Sequence, residues 1–164
     1  MKRFWMMGCA LAVAAPLLAD QPSVQVQPPD LHGSRPLEPQ TGPAVVRDYL
    51  ESWQQFSAAL DRNQPALLDA DFVGNARTRL GATIDGQLKF GVHTRYTDQS
   101  HHLQIVFYSP DGLSIQLIDN VEYDEQVLTG GKVLASQHVK ARYVVVLTPS
   151  ETRWKVRIFQ AEPS

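Results

Sequence analysis

From His101 to Gln160 the chain carries four alternating apolar stretches in succession, and everything before them reads as helix or as unstructured leader. Helices followed by a meander of strands describe a small α+β domain in which a curved antiparallel sheet wraps around the helices. Leu103, Ile105 and Phe107 alternate, and Ser109-Pro110-Asp111-Gly112 then supplies turn chemistry. Leu113, Ile115 and Leu117 resume the alternation, with Val121 and Tyr123 in the same parity. After the Gly130-Gly131 turn come Val139, Ala141, Tyr143, Val145 and Leu147. Past Pro149-Ser150-Glu151, Trp154, Val156 and Ile158 share one face against Arg153, Lys155 and Arg157 on the other. Val144 and Val146 make the third strand apolar on both faces, which leaves its register open.

The region upstream has helical period. From Ala44 to Leu60, residues Val46, Tyr49, Leu50, Trp53, Phe56 and Leu60 recur at steps of three and four, while Arg47, Asp48, Glu51, Gln54 and Gln55 cover the remainder. Pro43 suits the first helical position. Pro65 opens a short turn carrying Leu67 and Leu68. A second helix is expected over Asp71–Leu88, with Phe72, Val73, Ala76, Leu80, Ile84 and Leu88 on one side, Asp71 as N-cap and Gly91 as stop. His93 to Ser100 is polar and reads as a connection.

Both ends of the argument about location sit in the first 43 residues. Lys2 and Arg3 precede an uncharged, mostly apolar run from Phe4 to Leu18, which is short for a membrane span. The pattern predicts a signal peptide over residues 1–19, cut after Ala19, and an exported product, periplasmic or secreted. Lipidation at Cys9 would leave only Phe4 to Gly8 as the apolar core, too short for a signal, so the cut after Ala19 is the expectation. The product would then lack cysteine and need no disulfide. Taking Lys2 and Arg3 from the 15 basic residues leaves 13 against 17 acidic ones, a net charge near −4. With no basic run, nucleic acid is excluded as a partner. Residues 20–43 hold six prolines and few large apolar side chains, and read as a flexible leader ahead of a domain over residues 44–161.

The aromatic helix stripe (Tyr49, Trp53, Phe56), the following Leu60-Asp61-Arg62, the Leu67-Leu68 turn and a meander closed by Arg153-Trp154-Lys155-Val156 together resemble the nuclear-transport-factor-like superfamily. The resemblance covers Ala44 to Gln160. It implies a cone-shaped, cystatin-like fold of N-terminal helices packed in a four-stranded meander. It also implies a tendency to hold a pocket or to dimerise through the sheet. Relatives include polyketide cyclases and ketosteroid isomerases, but no catalytic signature of theirs is present, so no activity follows from the fold.

One residue breaks the apolar pattern. Asp119 shares parity with Leu113, Ile115, Leu117, Val121 and Tyr123, and simple alternation aims it at the apolar face, where a carboxylate needs partners. A three-residue loop at Pro110-Asp111-Gly112 sets Leu103 opposite Asp119 and His101 opposite Val121, which brings His101 diagonally beside Asp119. Two other readings compete. A bulge at Asp119-Asn120 turns the carboxylate outward. A plain two-residue turn at Gly130-Gly131 sets it opposite Arg142 as an exposed ion pair. Asp119, His101, Tyr49, Trp53 and Tyr143 are therefore the ligand-binding candidates, and a His–Asp pair is suited to general acid–base work. His101 and His102 face opposite ways on a strand, and His93 and His138 lack ligand spacing, so no metal is expected, and no other cofactor.

The leading functional expectation is an exported, non-catalytic module that binds a small apolar ligand or a protein partner. The alternatives are a small isomerase, dehydratase or cyclase using Asp119 with His101 or a tyrosine, and a structural dimeric factor of the cell envelope.

Overall fold

In the computed structural model, which describes residues 21–33 and 35–162, the sheet has five strands rather than four. The elements run β1 (Ser23–Val26), α1 (Thr41–Arg62), a 3-10 turn (Pro65–Leu68), α2 (Gly74–Phe90), β2 (His93–Tyr108), β3 (Ile115–Thr129), β4 (Lys132–Pro149) and β5 (Trp154–Ala161). The strands lie in sequence order across the sheet, with β1 parallel to β2 and every other pair antiparallel. Two helices pack in the curve of this mixed sheet. Among the described residues no helix is long and apolar enough to cross a membrane. The expected signal segment and Cys9 lie outside the described residues.

The extra strand corrects the reading of residues 20–43 as a flexible leader. Ser23–Val26 pairs with Ser100–Leu103, and the backbone amides of Gln27, Asp30 and His32 go on to donate to the carbonyls of Leu103, Ile105 and Val106. Its prolines suit an edge, where a missing N–H is tolerated on the solvent side. Leu31 and Leu37 pack against the core, and the Arg35 guanidinium lies 4.8 Å from the Tyr108 ring centroid. Gly33 allows the close approach: a Cβ there would stand 3.0 Å from the Tyr108 carbonyl oxygen. Composition suggested disorder because it counts apolar side chains and not the backbone bonds that an open sheet edge supplies. A chain starting at Thr41 should therefore lose about 3 kcal/mol of stability, the part-burial of Leu31 and Leu37. That is roughly 10 °C in a thermal melt. Unchanged melting would return the leader to the status of a tether.

The other boundaries shift for local reasons. α1 starts three residues before Ala44 and ends where Asn63 enters the left-handed region at φ 51°. Its buried face is rotated towards Val45, Tyr49, Ser52, Trp53, Phe56 and Leu60, so Val46 and Leu50 sit at its margin and Asp48 is buried. α2 starts at Gly74, not Asp71, and Leu88 on it is exposed. Asp71 is a buried ion instead of a cap. It pairs with Arg153, which also pairs with Glu51. Burial pushes the Asp71 carboxyl above the ordinary range against the pull of Arg153. The Trp154 amide donates to Asp48 Oδ2 at 2.8 Å, so acidic residues of α1 and the α2 approach fasten the start of β5. Residues 93–100, expected as a connection, are the first half of β2. Their polar side chains are compatible with a strand because the ladder to β3 satisfies the backbone whatever the faces carry.

Candidate functional site

The position of Asp119 is decided by two features of register. At the β2–β3 hairpin, Ser109 and Ser114 flank a four-residue turn instead of the expected three-residue loop, and a bulge between Ile105 and Phe107 then sets Leu103 opposite Asp119 and His101 opposite Val121, the pairing expected from the sequence. At the β3–β4 turn, Gly130 and Gly131 adopt φ of 52° and 80° and Thr129 pairs with Lys132, the two-residue hairpin. That turn alone would set Asp119 opposite Arg142. A bulge between Val127 and Leu128 then shifts the register by one residue, and Asp119 faces Tyr143. The carboxylate consequently points inward, and the exposed pairing with Arg142 does not form.

All five sequence candidates come together there. Tyr49 Oη donates to Asp119 Oδ2 at 2.8 Å, and His101 Nδ1 donates to the same oxygen at 2.7 Å. His101 Nε2 lies 3.9 Å from Asp98 Oδ2, and Trp53 Nε1 donates to Asp98 Oδ1 at 2.9 Å. Trp53 stacks edge-on to His101 at 5.1 Å and to Tyr143 at 5.4 Å between ring centroids. Asp119 Oδ1 is buried without a hydrogen-bond partner among the described residues, so all of the carboxylate's pairing passes through Oδ2. Burial pulls the His101 pKa down, but the hydrogen bonds to Asp119 and Asp98 outweigh it and carry the ring up to about 9. At neutral pH the ring is an imidazolium held between two carboxylates. Burial, then the Asp119 charge, pushes the Tyr49 hydroxyl far above its ordinary value.

This cluster is sealed. Asp119 and Tyr49 are 0% exposed, His101 and Trp53 1%, and Tyr143 8%. The rings of Phe56, Tyr96, Tyr123 and Phe159 complete the packing around Trp53. Acid–base groups are present, but no substrate reaches them without the aromatic core moving.

An open cleft lies elsewhere, between the leader, the first turns of α1 and β2. It encloses about 790 Å³ and is lined by Val26, Pro29, Leu37, Val46, Leu50 and Ile105 among others. Nine of its twelve lining residues have no polar side-chain atom; the exceptions are Gln27, Glu38 and Arg47. Both ions are already partnered. Glu38 accepts from Arg35 at 2.7 Å, and Arg47 donates to Asp48 Oδ1 at 2.8 and 3.0 Å. The cleft therefore offers apolar surface without a free charge. None of the five sequence candidates lines it. Its signal in the sequence was the breadth of the α1 stripe: Val46 and Leu50 have no room on a face already filled by Tyr49, Trp53 and Phe56. A second hollow, about 480 Å³ on the outer face of β3 and β4, is lined by Glu122, Lys140, Arg142 and Glu162, whose charges pair with one another.

No protein-family model matches the chain, and no curated protein matches it. Among solved structures, the intermembrane-space region of the chloroplast protein ARC6 superposes with a TM-score of 0.63 at 15% identity, over 79% of this chain and 100% of that one. A scytalone dehydratase-like protein from Novosphingobium aromaticivorans superposes with a TM-score of 0.52 at 15% identity, over 77% of this chain and 89% of that one. The chain shares the fold of these structures, helices packed in a curved α+β sheet, the cone-shaped arrangement that the sequence resemblance implied.

Proposed function

We propose that this cone-fold chain is an exported, non-catalytic module that takes a small, uncharged apolar molecule into the cleft between its leader and α1. The observation that carries the reading is the cleft itself: about 790 Å³, within the range of small-molecule sites, with its two ions neutralised by the protein's own side chains. A charged ligand would find no unpaired counter-charge there, and an apolar one gains by displacing water from Val26, Leu37, Val46, Leu50 and Ile105. The Lys2-Arg3 start and the apolar run to Leu18 support export. The intermembrane-space region of ARC6 is a precedent for this fold outside the cytosol.

The test is a fluorescence titration with Nile red, a neutral apolar dye. Saturable one-to-one binding is expected. Val46→Asp, which puts an unpaired charge on the half-exposed cleft wall, should weaken it at least tenfold while leaving the fold intact. Binding that is non-saturable, or equal in the variant, contradicts the reading. One observation favours a second reading, an isomerase or dehydratase: Asp119, His101 and Tyr49 are hydrogen-bonded as an acid–base set. It requires the sealed interior to open, and turnover abolished by His101→Gln without loss of fold would support it.

A further inference from the structure

Among the described residues eight large apolar side chains are exposed, and half of them gather at one end of the molecule. Phe90 is 84% exposed, Leu88 59%, Leu134 54% and Val133 43%. Backbone geometry brings them together. Leu88 and Phe90 close α2, which stops where Gly91 turns left-handed at φ 65°. The Thr129 hydroxyl donates to the Gly91 carbonyl at 2.9 Å, and Thr129 pairs with Lys132 across the Gly130-Gly131 turn, directly before Val133 and Leu134. α1 ends beside them, because Asn63 Nδ2 donates to the Val92 carbonyl and Gln87 Nε2 to Asn63 Oδ1. Leu88 lies one turn beyond the buried Ile84, so the apolar stripe of α2 runs on past its cover.

Charge at this end is mostly of one sign. Arg62 and Lys89 are the last-turn bases of α1 and α2, and Lys132 opens β4. None of the three takes part in an ion pair among the described residues, while Arg95 and His93 hold the one carboxylate beside them, Asp61. Asp85 stands a full turn back on α2, and the next carboxylates inward on β3, Asp124 and Glu125, are held by His138 and Gln137. The two helix C-termini bring a partial negative charge of about one half each, less than the three free cations. In a chain with a net charge of −2, this end is therefore positive against a negative background.

We propose that this end docks on the surface of an anionic phospholipid bilayer, with Phe90, Leu88, Val133 and Leu134 sunk among the headgroups and Arg62, Lys89 and Lys132 on lipid phosphates. Exposed apolar groups rimmed by long-stemmed cations suit an interface between water and lipid. The apolar groups leave water, and the lysine stems lie along the boundary with their ammonium groups at phosphate level. An anionic surface adds an attraction for the free cations that a zwitterionic one lacks. Shape favours a lipid surface over a protein segment: the side chains project from a helix end and a hairpin tip, and none of them lines either of the two hollows. The ligand cleft lies towards the other end of α1. Its last α1 residue, Leu50, is about 18 Å from Arg62 at 1.5 Å per residue, so docking leaves the cleft in water and does not depend on what it binds.

The test uses the full chain in a Cys9→Ser background, labelled with the polarity-sensitive dye nitrobenzoxadiazole at Phe90→Cys or, as a control, at Leu113→Cys. Leu113 is 57% exposed on the β2–β3 turn, at the opposite end of β3. Vesicles of phosphatidylcholine with about one-third phosphatidylglycerol should shift the emission at position 90 to the blue, saturably, and leave the label at 113 unchanged. Vesicles of phosphatidylcholine alone should bind at least tenfold more weakly, as should a Lys89→Gln/Lys132→Gln variant on the anionic vesicles. Every substituted position in the fold is exposed, so the circular dichroism spectrum should not change. The comparison of two labels separates this end from the apolar run Phe4–Leu18, whose own adsorption to lipid would not single out position 90. Absence of a shift at position 90 overturns the proposal and leaves these side chains to a protein partner. An equal shift at 113, or an affinity indifferent to lipid charge and to both lysines, also overturns it.

Discussion

Replacing Trp53 by alanine should cost the domain a large part of its stability. The indole is 1% exposed and has six aromatic neighbours, Phe56, Tyr96, His101, Tyr123, Tyr143 and Phe159, with centroids 5.1 to 6.2 Å away. They come from α1, β2, β3, β4 and β5, so a single side chain joins the helix to four strands. Truncating a buried tryptophan costs about 3–5 kcal/mol in lost transfer energy and residual cavity. The lost Nε1 hydrogen bond adds to this, because Asp98 then faces the interior with one partner fewer. Set against a total stability of about 5–15 kcal/mol for a domain, the change removes from about a fifth to nearly all of it. A urea denaturation curve checks it, with Phe90→Ala as the control: Phe90 is 84% exposed, and its loss should stay within about 0.5 kcal/mol. A midpoint for Trp53→Ala close to wild type would mean that the aromatic cluster is not the centre of the core.

The second large effect belongs to Asp119. Asp119→Ala removes the nearest counter-ion of a buried imidazolium and strands the Tyr49 hydroxyl, and breaking such a pair costs about 3–5 kcal/mol. Asp119→Asn keeps the shape and an acceptor for Tyr49 but not the charge, so its signature is in the pH dependence. His101 has a pKa of about 9 in the folded chain against an ordinary 6.5. The folded state therefore holds the proton more tightly than the unfolded one. The resulting stability is fully present below about pH 6.5 and is lost as pH rises through 9, a fall of about 3 kcal/mol between them. Wild-type stability should decline over that window. In Asp119→Asn the decline should be much shallower, because His101 then keeps only the longer contact to Asp98. An equally steep decline in the variant would show that another group carries it. If the cluster is structural, neither substitution changes dye binding in a protein that remains folded.

The sequence made the interior legible because alternation and helical period both report burial. Strict parity on β3 singled out Asp119, while the expected neighbour His101 is reached through a longer turn and a compensating bulge between Ile105 and Phe107. What could not be read was any feature that depends on a departure from period. The bulge at Val127/Leu128 shifts β4 by one residue and so replaces Arg142 with Tyr143 opposite Asp119. Nothing in Val127-Leu128 or in the facing Leu134 marks such a bulge, since each suits an ordinary strand position. The leader was missed for a related reason. Val24 and Val26 alternate over too few residues to register as a strand, and what holds them is the open backbone of β2. That omission hid the cleft, because the leader forms one of its walls. The five residues chosen from the pattern stand together in the interior, and the open surface lies about α1's margin instead, at Val46 and Leu50.

The central claim is that this cone receives its ligand in the leader cleft and not around Asp119, and methyl-resolved NMR during titration with Nile red tests it most directly. The claim predicts saturable shifts at the methyls of Val26, Leu37, Val46, Leu50 and Ile105, with Leu117, Val121 and Val145 of the sealed core unmoved. Shifts centred on Leu117, Val121 and Val145, with the cleft methyls unchanged, would contradict it and move the site to the Asp119–His101–Tyr49 cluster.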